Sequence, residues 1–319
     1  MARLIEIPNS ATVTQARGFM TRTDWSLEPG ETLIRFHPHY CHMQPWVIAA
    51  LAAWGLRAQE NEISIRVENA NRAAYAWRLG LGEYLGVDPG VEIKPHEETG
   101  RFVALRTITN GDEHSALISD VVTLLHLAEE PEQARAVQYA LSEMMRNVRE
   151  HSASDHGSVV CAQWYKGRKG DRYVSIGVAD TGRGILNSLR QNFPDLADDT
   201  EALLSAIQPG ITGSQPDIYG ATNNAGAGLF YTRRLAESSN QYFGLVSGDA
   251  IFRSSLAMRT PPEDKMVFPI SPYPGTVVCV NLSLHPEVTF DDFLLVAGQA
   301  FNRLTEDLTD RVEKRVVFK

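Results

Sequence analysis

A long amphipathic segment followed by two alternating runs sets the strongest limit on what this chain can fold into. The segment opens at Pro131, a residue well tolerated at the first helical position, and keeps helical periodicity to about His151, a length of roughly 30 Å. Gly157–Tyr165 and Tyr173–Asp180 then alternate as strands do, and the short turn KGRKGD joins them. The pattern predicts a helix followed by a pair of hairpin strands.

The first hundred residues show a different order, in which strands and helices alternate. Thr32–His37 and Glu62–Glu68 have the pattern of strands, whereas Gln44–Gln59 and Asn71–Leu85 have that of helices. This order predicts a small α/β domain at residues 1–109. It is faintly similar to the STAS-like modules that accompany ATPase domains, and a dimerisation layer is the alternative.

The rest of the chain divides into residues 110–285 and a C-terminal helical extension at residues 286–319. Helices are predicted at Ala116–Glu129, Ile185–Phe193, around Thr200–Ile207, at Gly228–Glu237 and in Thr289–Val317. Strands are predicted at Arg101–Thr107, Gln241–Ser247, Ala250–Met258 and Gly275–Leu282. Between them, residues 186–225 have few apolar anchors and many glycines, which is typical of a lid or a disordered loop.

Composition and charge narrow the class of protein. The 319 residues are 43% hydrophobic and 22% charged, which describes a globular chain. The net charge of −9 argues against general nucleic-acid binding. The most apolar run, Trp46–Leu56, is much shorter than the roughly 20 residues of a membrane-spanning helix and predicts a buried helix. The N-terminal residues show no signal-peptide core. Cys161 and Cys279 lie in strand-like runs, which predicts buried thiols. The chain has three widely spaced cysteines, and this pattern favours a cytoplasmic location.

Four polar residues near the end of the long helix are the first candidates for chemistry. Within Ser142–Ser152, the residues Glu143, Asn147, Glu150 and His151 stand at helical steps and share one face. An asparagine oxygen can bind Mg²⁺, and a glutamate can orient or deprotonate a water molecule. The alternative is an ordinary amphipathic helix with a solvated face.

The second candidate is the turn VADTGRGI, which follows an apolar strand. Asp180 ends the strand, and a carboxylate there can accept a hydrogen bond from an exocyclic amine. Gly182 and Gly184 would let a flat ring approach the backbone. A simple Asp-Thr-Gly turn explains the same residues.

Two further signals follow in order. Gly226 and Gly228 precede a helical run, so free N–H groups at the helix start could bind an anion, although such glycines also serve tight packing. Gly275-Thr276 opens an apolar strand, where the Thr276 hydroxyl could meet a ligand or could simply be a β-branched residue starting a strand.

Together, in this order, the four signals resemble the motifs of the GHKL ATPases, the superfamily of DNA gyrase, Hsp90 chaperones, sensor histidine kinases and MutL-type repair proteins. The resemblance covers roughly Ala116–Leu282 and includes the N box and both glycine boxes. It implies an α+β Bergerat fold, an α/β sandwich with helices on one face of a mixed, largely antiparallel sheet. It also implies that ATP and Mg²⁺ are the cofactors.

The resemblance also implies roles for single residues. Asn147 is the expected Mg²⁺ ligand, Glu143 the general base, and Glu150 has a lesser role in the nucleotide site. Asp180 reads the adenine amino group beside Gly182 and Gly184, and Thr276 supports it through its hydroxyl or a water. Gly226, Gly228 and Leu229 lie at the phosphates.

Several functions fit this resemblance. One is an ATP hydrolase that acts as a nucleotide-gated switch, with a protein partner or self-association through the N-terminal domain and no contact with membrane. The others are a protein serine kinase like the anti-sigma-factor kinases and a non-hydrolysing ATP sensor. Phe230 departs from the pattern, because many relatives have another glycine after the leucine, and this makes ATP binding a firmer expectation than hydrolysis.

A separate hypothesis concerns HPHYCH. His37 and His39 alternate onto one strand face with Cys41 and His42 nearby, and imidazole and thiolate suit Zn²⁺. No second ligand cluster follows at zinc-finger spacing, so a loop at a strand end is the alternative.

Overall fold

The computed structural model describes residues 2–92, 101–124, 127, 131–166, 172–213, 226–255, 263–284 and 287–317. The first part contains β1 (Arg3–Ile7), β2 (Ser10–Ala11), α1 (Ala16–Arg22), β3 (Gly30–Phe36), β4 (His42–Met43), α2 (Pro45–Glu60), β5 (Ile63–Glu68), α3 (Ala74–Arg78) and α4 (Leu81–Leu85). The second contains β6 (Phe102–Ile108), α5 (Gly111–Leu124), α6 (Pro131–Asn147), β7 (Ser158–Lys166), β8 (Arg172–Asp180), α7 (Gly184–Leu189), α8 (Asp199–Ala206), α9 (Gly228–Ser238), β9 (Tyr242–Ser255), β10 (Val267–Ser283) and α10 (Phe290–Val317).

A five-stranded sheet forms the centre of the molecule. Its strand order is β6-β7-β8-β10-β9, and every neighbouring pair is antiparallel. The chain is therefore of mixed α and β structure with an antiparallel main sheet, as the sequence predicted. β6 was assigned from the sequence to the N-terminal region, and it pairs with β7 in this sheet.

The central strand of this sheet is buried on both faces. Every residue of β8 from Val174 to Asp180 is buried, although the side chains alternate between the two sides. Val160, Ile176 and Val178 belong to the core that includes α5, α6 and α9. Val159 and Ala179 belong to the core that includes α2. The resemblance implies helices on one face of this sheet, and the second face is covered by α2, which belongs to the first part of the chain.

α2 fills the space between two sheets. The three-stranded sheet β1-β3-β5 is parallel, and its apolar residues share one core with α2 and with the five-stranded sheet. The helix is buried almost all round from Pro45 to Gly55, because both of its sides meet a sheet. The prediction that Trp46–Leu56 forms a buried helix is confirmed. Among the described helices, none is both long and apolar enough to span a bilayer.

Several elements differ from the sequence-based prediction, among them β1 and α1, which were not predicted. Asn71–Leu85 was expected as one helix, and it divides into α3 and α4 because Gly80 takes a left-handed φ of +93°. β9 runs without a break through Gly248, where two strands were expected. β10 begins at Val267 rather than near Gly275, because register shifts accommodate its prolines within the ladder.

Gly177 marks the closest approach between α2 and the sheet. A Cβ atom added there would lie 2.6 Å from the carbonyl carbon of Pro45 and closer still to the backbone of Trp46. Tyr273 of β10 crosses the same contact, since its hydroxyl donates to the carbonyl of Ala50 at 3.1 Å. Cys161 also donates to the Pro45 carbonyl, at 3.2 Å, and is a buried free thiol, as expected.

We expect Gly177→Ala to lower the free energy of unfolding by about 1–3 kcal/mol, because the methyl group meets backbone that cannot move independently. Urea denaturation measures the change. Gly111→Ala is the matched control, since no heavy atom lies within 4 Å of its added Cβ, and it should change stability by less than about 0.5 kcal/mol. Equal stability of the two variants would contradict this packing.

Candidate functional site

The C-terminal end of α6 carries the first group of candidate residues. The helix starts at Pro131 and buries an apolar stripe, which turns Glu143 and Asn147 toward α9. After Asn147 the backbone continues as a π-helical turn, Val148–Ser152, and ends at Ala153 with a left-handed φ of +49°. Such π turns within helices are frequent at functional sites.

The start of α9 lies directly against this end of α6. A Cβ atom added at Gly228 would lie 3.4 Å from both the Cδ atom of Glu143 and the Nδ2 atom of Asn147, and it would overlap Glu143 Oε2. Glycine therefore permits the first turn of α9 to reach these two side chains. The structure thus brings Gly228 close to two residues that are distant in the sequence. Gly228 lies 81 positions after Asn147 and 85 positions after Glu143.

Asp180 occupies a fully buried position at the end of β8. Its side chain is 1% exposed, and its Oδ1 atom accepts a hydrogen bond from Gly182 N at 2.8 Å. Thr276 pairs with Asp180 across β8 and β10, and its backbone also hydrogen-bonds the carboxyl group. Burial raises the pKa of Asp180 to about 7, against the lowering effect of the two backbone donors.

A tight contact joins the Asp180 turn to the end of α6. Arg183 N donates to the carbonyl oxygen of Ser152 at 2.7 Å. An added Cβ at Gly182 would lie 2.7 Å from the carbonyl carbon of Ser152, so only glycine fits between the two segments. The helix that holds Asn147 and the turn that holds Asp180 are therefore parts of one packed unit.

Ser247 of β9 fixes the other side of this turn. Its Oγ atom accepts a hydrogen bond from Ile185 N at 2.8 Å and donates to the carbonyl of Gly275 at 3.1 Å. Gly184 takes a left-handed φ of +74° beside this hydroxyl group. Ser247 had no signal in the sequence, because its role follows from the strand pairing of β9 with β10.

The second glycine box packs against the segment that follows α8. Gly226, with φ of +75°, packs against Gly210 and Ile211, and Gly210 N donates to the Gly226 carbonyl at 3.1 Å. Leu229 packs between the main core and a smaller cluster around α7 and α8. Part of the predicted lid, residues 214–225, lies outside the described residues, and the part before it contains α7 and α8.

A buried ionic network anchors α9. Arg233 is 3% exposed, and it donates to Glu237 at 2.7 Å and to Glu263 at 2.6 Å. Gln208, at the end of the segment after α8, donates to the same Glu263 carboxylate at 2.6 Å. These bonds fix α9 relative to α8, and with it the position of Gly228.

The groups around Glu143 shift its pKa in opposite directions. Burial raises the pKa of Glu143, and the carboxylate of Glu150 adds to this, whereas the guanidinium of Arg146 lowers it. Arg146 forms an ion pair with Glu143 one helical turn away. Glu150 is half-exposed and lies 3.7 Å from Arg149. Arg146 was missed as a site residue, although its i, i+3 spacing from Glu143 was visible in the sequence.

The side chain of Asn147 fits a site that would be completed by a ligand. Its Nδ2 atom is buried and has no hydrogen-bond partner within the described structure. A buried polar group without a partner is costly, and a ligand oxygen would relieve that cost. The other atom of this amide, Oδ1, is the one that could bind a magnesium ion, with water and phosphate oxygens as the remaining ligands.

The histidine-rich segment HPHYCH does not gather into a ligand set. The rings of His37 and His39 lie 5.8 Å apart, Cys41 Sγ donates to the Pro8 carbonyl at 3.7 Å, and His42 packs on Tyr165. Burial raises the pKa of Cys41 to about 11, which disfavours a thiolate. Within the described ranges, no group of three or more His, Cys, Asp or Glu side chains is arranged to hold a metal ion.

Comparison of the chain with models of protein families, with curated proteins and with solved structures gives no match.

The buried Asp180 carboxyl group predicts a pH dependence of stability. Its pKa in the folded chain, about 7, exceeds the ordinary value of 3.8, so between these pH values the folded chain holds a proton that the unfolded chain has lost. Its contribution to stability therefore falls as the pH rises through this window, by up to about 1.4 kcal/mol per pH unit.

We expect Asp180→Asn to lack this decline, so that its free energy of unfolding rises relative to the wild type from pH 4 to pH 8. Urea denaturation across this pH range measures the difference. Asp195→Asn, at an exposed position, is the control and should follow the wild type. Parallel curves for Asp180→Asn and the wild type would show that Asp180 titrates in the same way in both states.

Proposed function

We propose that this chain is a Mg²⁺-dependent ATP-binding protein of the GHKL type. The observation that carries the proposal is the packing of Gly228 against Glu143 and Asn147, while the end of the same helix contacts the Asp180 turn. These residues belong to three separate motifs, and their convergence supports one site. The antiparallel sheet with α6 and α9 on one face supports a Bergerat fold.

Asp180 would bind the adenine base. A carboxylate has about four acceptor positions, and the two backbone donors from Gly182 and Thr276 leave capacity for an amino group. Gly184, which takes a left-handed φ of +74°, carries no side chain at this edge. A flat base could therefore approach the backbone beside Asp180.

The start of α9 would bind the phosphate groups. Ala227, at the N-cap position, makes no side-chain capping hydrogen bond, so the first N–H groups of this 11-residue helix have no cap from that residue. Free N–H groups and the helix dipole favour an anion. Asn147 would hold a Mg²⁺ ion beside them, and that ion would offset the negative charge of the phosphates.

Glu143 would serve as the general base of ATP hydrolysis. Its raised pKa brings a carboxylate closer to the pH at which general bases work best. Its ion pair with Arg146 favours a second candidate function, a non-hydrolysing ATP sensor, because the guanidinium competes for the same carboxylate. Transfer of the phosphoryl group to a protein serine, as in the anti-sigma-factor kinases, is the third outcome.

The N-terminal region would transmit the nucleotide state to a protein partner or a second copy. Tyr273 of β10 connects the two regions, because its hydroxyl group donates a hydrogen bond to the Ala50 carbonyl of α2. The proposal includes this regulatory role and a location in the cytoplasm.

We expect Asn147→Ala to weaken binding of ATP in the presence of Mg²⁺ by about tenfold or more, and to have a smaller effect in EDTA, because the amide acts through the metal ion. Isothermal titration calorimetry measures both affinities. Asn302→Ala, at an exposed position on α10, is the matched control and should bind as the wild type does. Absence of ATP binding by the wild-type chain would refute the proposed function.

We expect Glu143→Gln to retain ATP affinity within about threefold and to slow phosphate release by a factor of about 10² or more, as loss of a general base does. The assay uses ATP labelled at the γ-phosphate and follows free phosphate and protein-bound label. Label that accumulates on protein would identify a kinase. If the wild-type chain binds ATP and leaves it intact, the protein is a sensor.

A further inference from the structure

A cavity lies beside the π-helical turn, and its lining contains none of the residues proposed to bind the nucleotide. Its volume is about 120 Å³, well above the roughly 10–15 Å³ that a cavity needs to hold one water molecule. It is partly open to the surface and is bounded by the end of β6, the first turn of α5, the end of α6 and the loop before β7. The residues that line it are Ile108, Thr109, Asn110, His114, Met145, Val148, Arg149, Ser152, Ala153, Ser154, Gly157 and Ser158.

Two side chains that line the cavity carry buried polar atoms without a partner. The Nε2 atom of His114 and the Oγ atom of Ser154 are both buried, and neither has a hydrogen-bond partner in the described structure. Buried polar groups are nearly always hydrogen-bonded, so two orphaned atoms in one lining indicate a ligand or ordered water.

The charge of the lining is positive. Arg149 and His114 are its ionisable residues, and none of the lining residues is acidic. Burial and then the charge of Arg149 lower the pKa of His114, so the positive charge of the lining is that of Arg149. The guanidinium of Arg149 is about half exposed and only loosely paired with Glu150, at 3.7 Å, so it is available to a ligand.

The walls of the cavity are held in place by their own hydrogen bonds. Asn110 caps α5 by accepting from Asp112 N at 3.1 Å and from Glu113 N at 3.0 Å, so the helix start is already satisfied. On the other side, Ser154 N donates to Ser152 Oγ at 3.1 Å. The site therefore depends on the side chains of its lining rather than on free backbone groups of α5.

We propose that this cavity binds a small dianion of the phosphate class, either free phosphate or a phosphate ester. Arg149 supplies a charge-assisted hydrogen bond, and the Ser154 hydroxyl and the Nε2–H group of His114 donate the remaining ones to the phosphate oxygens. The cavity has room for one such group, and Met145 and Val148 supply the apolar part of its lining.

The cavity contacts the Asp180 turn through one residue. Ser152 lines the cavity, and its carbonyl oxygen accepts the hydrogen bond from Arg183 N at 2.7 Å. A bound dianion would therefore restrain the backbone that supports Gly182. Binding of the dianion does not depend on ATP binding, so each can be tested without the other.

The test is a calorimetric titration of the full chain with inorganic phosphate at constant ionic strength maintained with sodium chloride. We expect Arg149→Gln to weaken phosphate binding by about tenfold, His114→Gln by a smaller factor, and Arg149→Lys to retain part of the affinity. Arg66→Gln removes an exposed charge on β5 and is the matched control. A phosphate monoester such as glycerol 3-phosphate, titrated in parallel, distinguishes an ester ligand from the free ion.

Three results would overturn the proposal. The first is no phosphate binding by the wild-type chain. The second is equal binding by the wild type and Arg149→Gln. The third is binding that Asn147→Ala abolishes and Arg149→Gln leaves intact, because this would place the ion at the candidate nucleotide site. Because Arg149 is half-exposed, its replacement should not impair folding, and circular dichroism of each variant checks this.

Discussion

Burial of both faces of the β8 strand is the constraint on which the rest of the structure depends. Seven consecutive buried residues, Val174–Asp180, require an apolar layer on each side of the sheet. α6 and α9 supply one layer and α2 the other. Because Asp180 is the last residue of this strand, the same packing that excludes water from the sheet also removes it from the carboxyl group and raises its pKa.

Close backbone approach then positions the candidate site. Gly228 lets α9 reach Glu143 and Asn147, and Gly182 lets the Asp180 turn reach Ser152. In both places a side chain would separate two segments that are distant in the sequence. The Arg233–Glu263 ion pair holds α9 in this position from its far side. The site is therefore a product of packing between helices and turns, not of a single loop.

Much of this arrangement could be predicted from periodicity, and the remainder depends on tertiary contacts. The buried α2 helix, the α6 helix and the strand pair β7–β8 followed from apolar spacing. Coverage of the second sheet face could not be derived, because periodicity shows that a residue is buried but not what covers it. The role of Ser247 depends on strand register, and the early start of β10 depends on bulges that place prolines in a ladder. The roles of Asn147 and Asp180 in binding ATP stay predictions.

The position of β6 has a consequence for how this protein could be divided. The strand ends at Ile108, just before the boundary suggested by the sequence, and it forms the edge of the main sheet. A fragment starting at residue 110 would lose this edge strand and also expose the face that α2 covers. Excision at that boundary would thus leave an aggregation-prone remnant, and the two regions should unfold in a single cooperative transition.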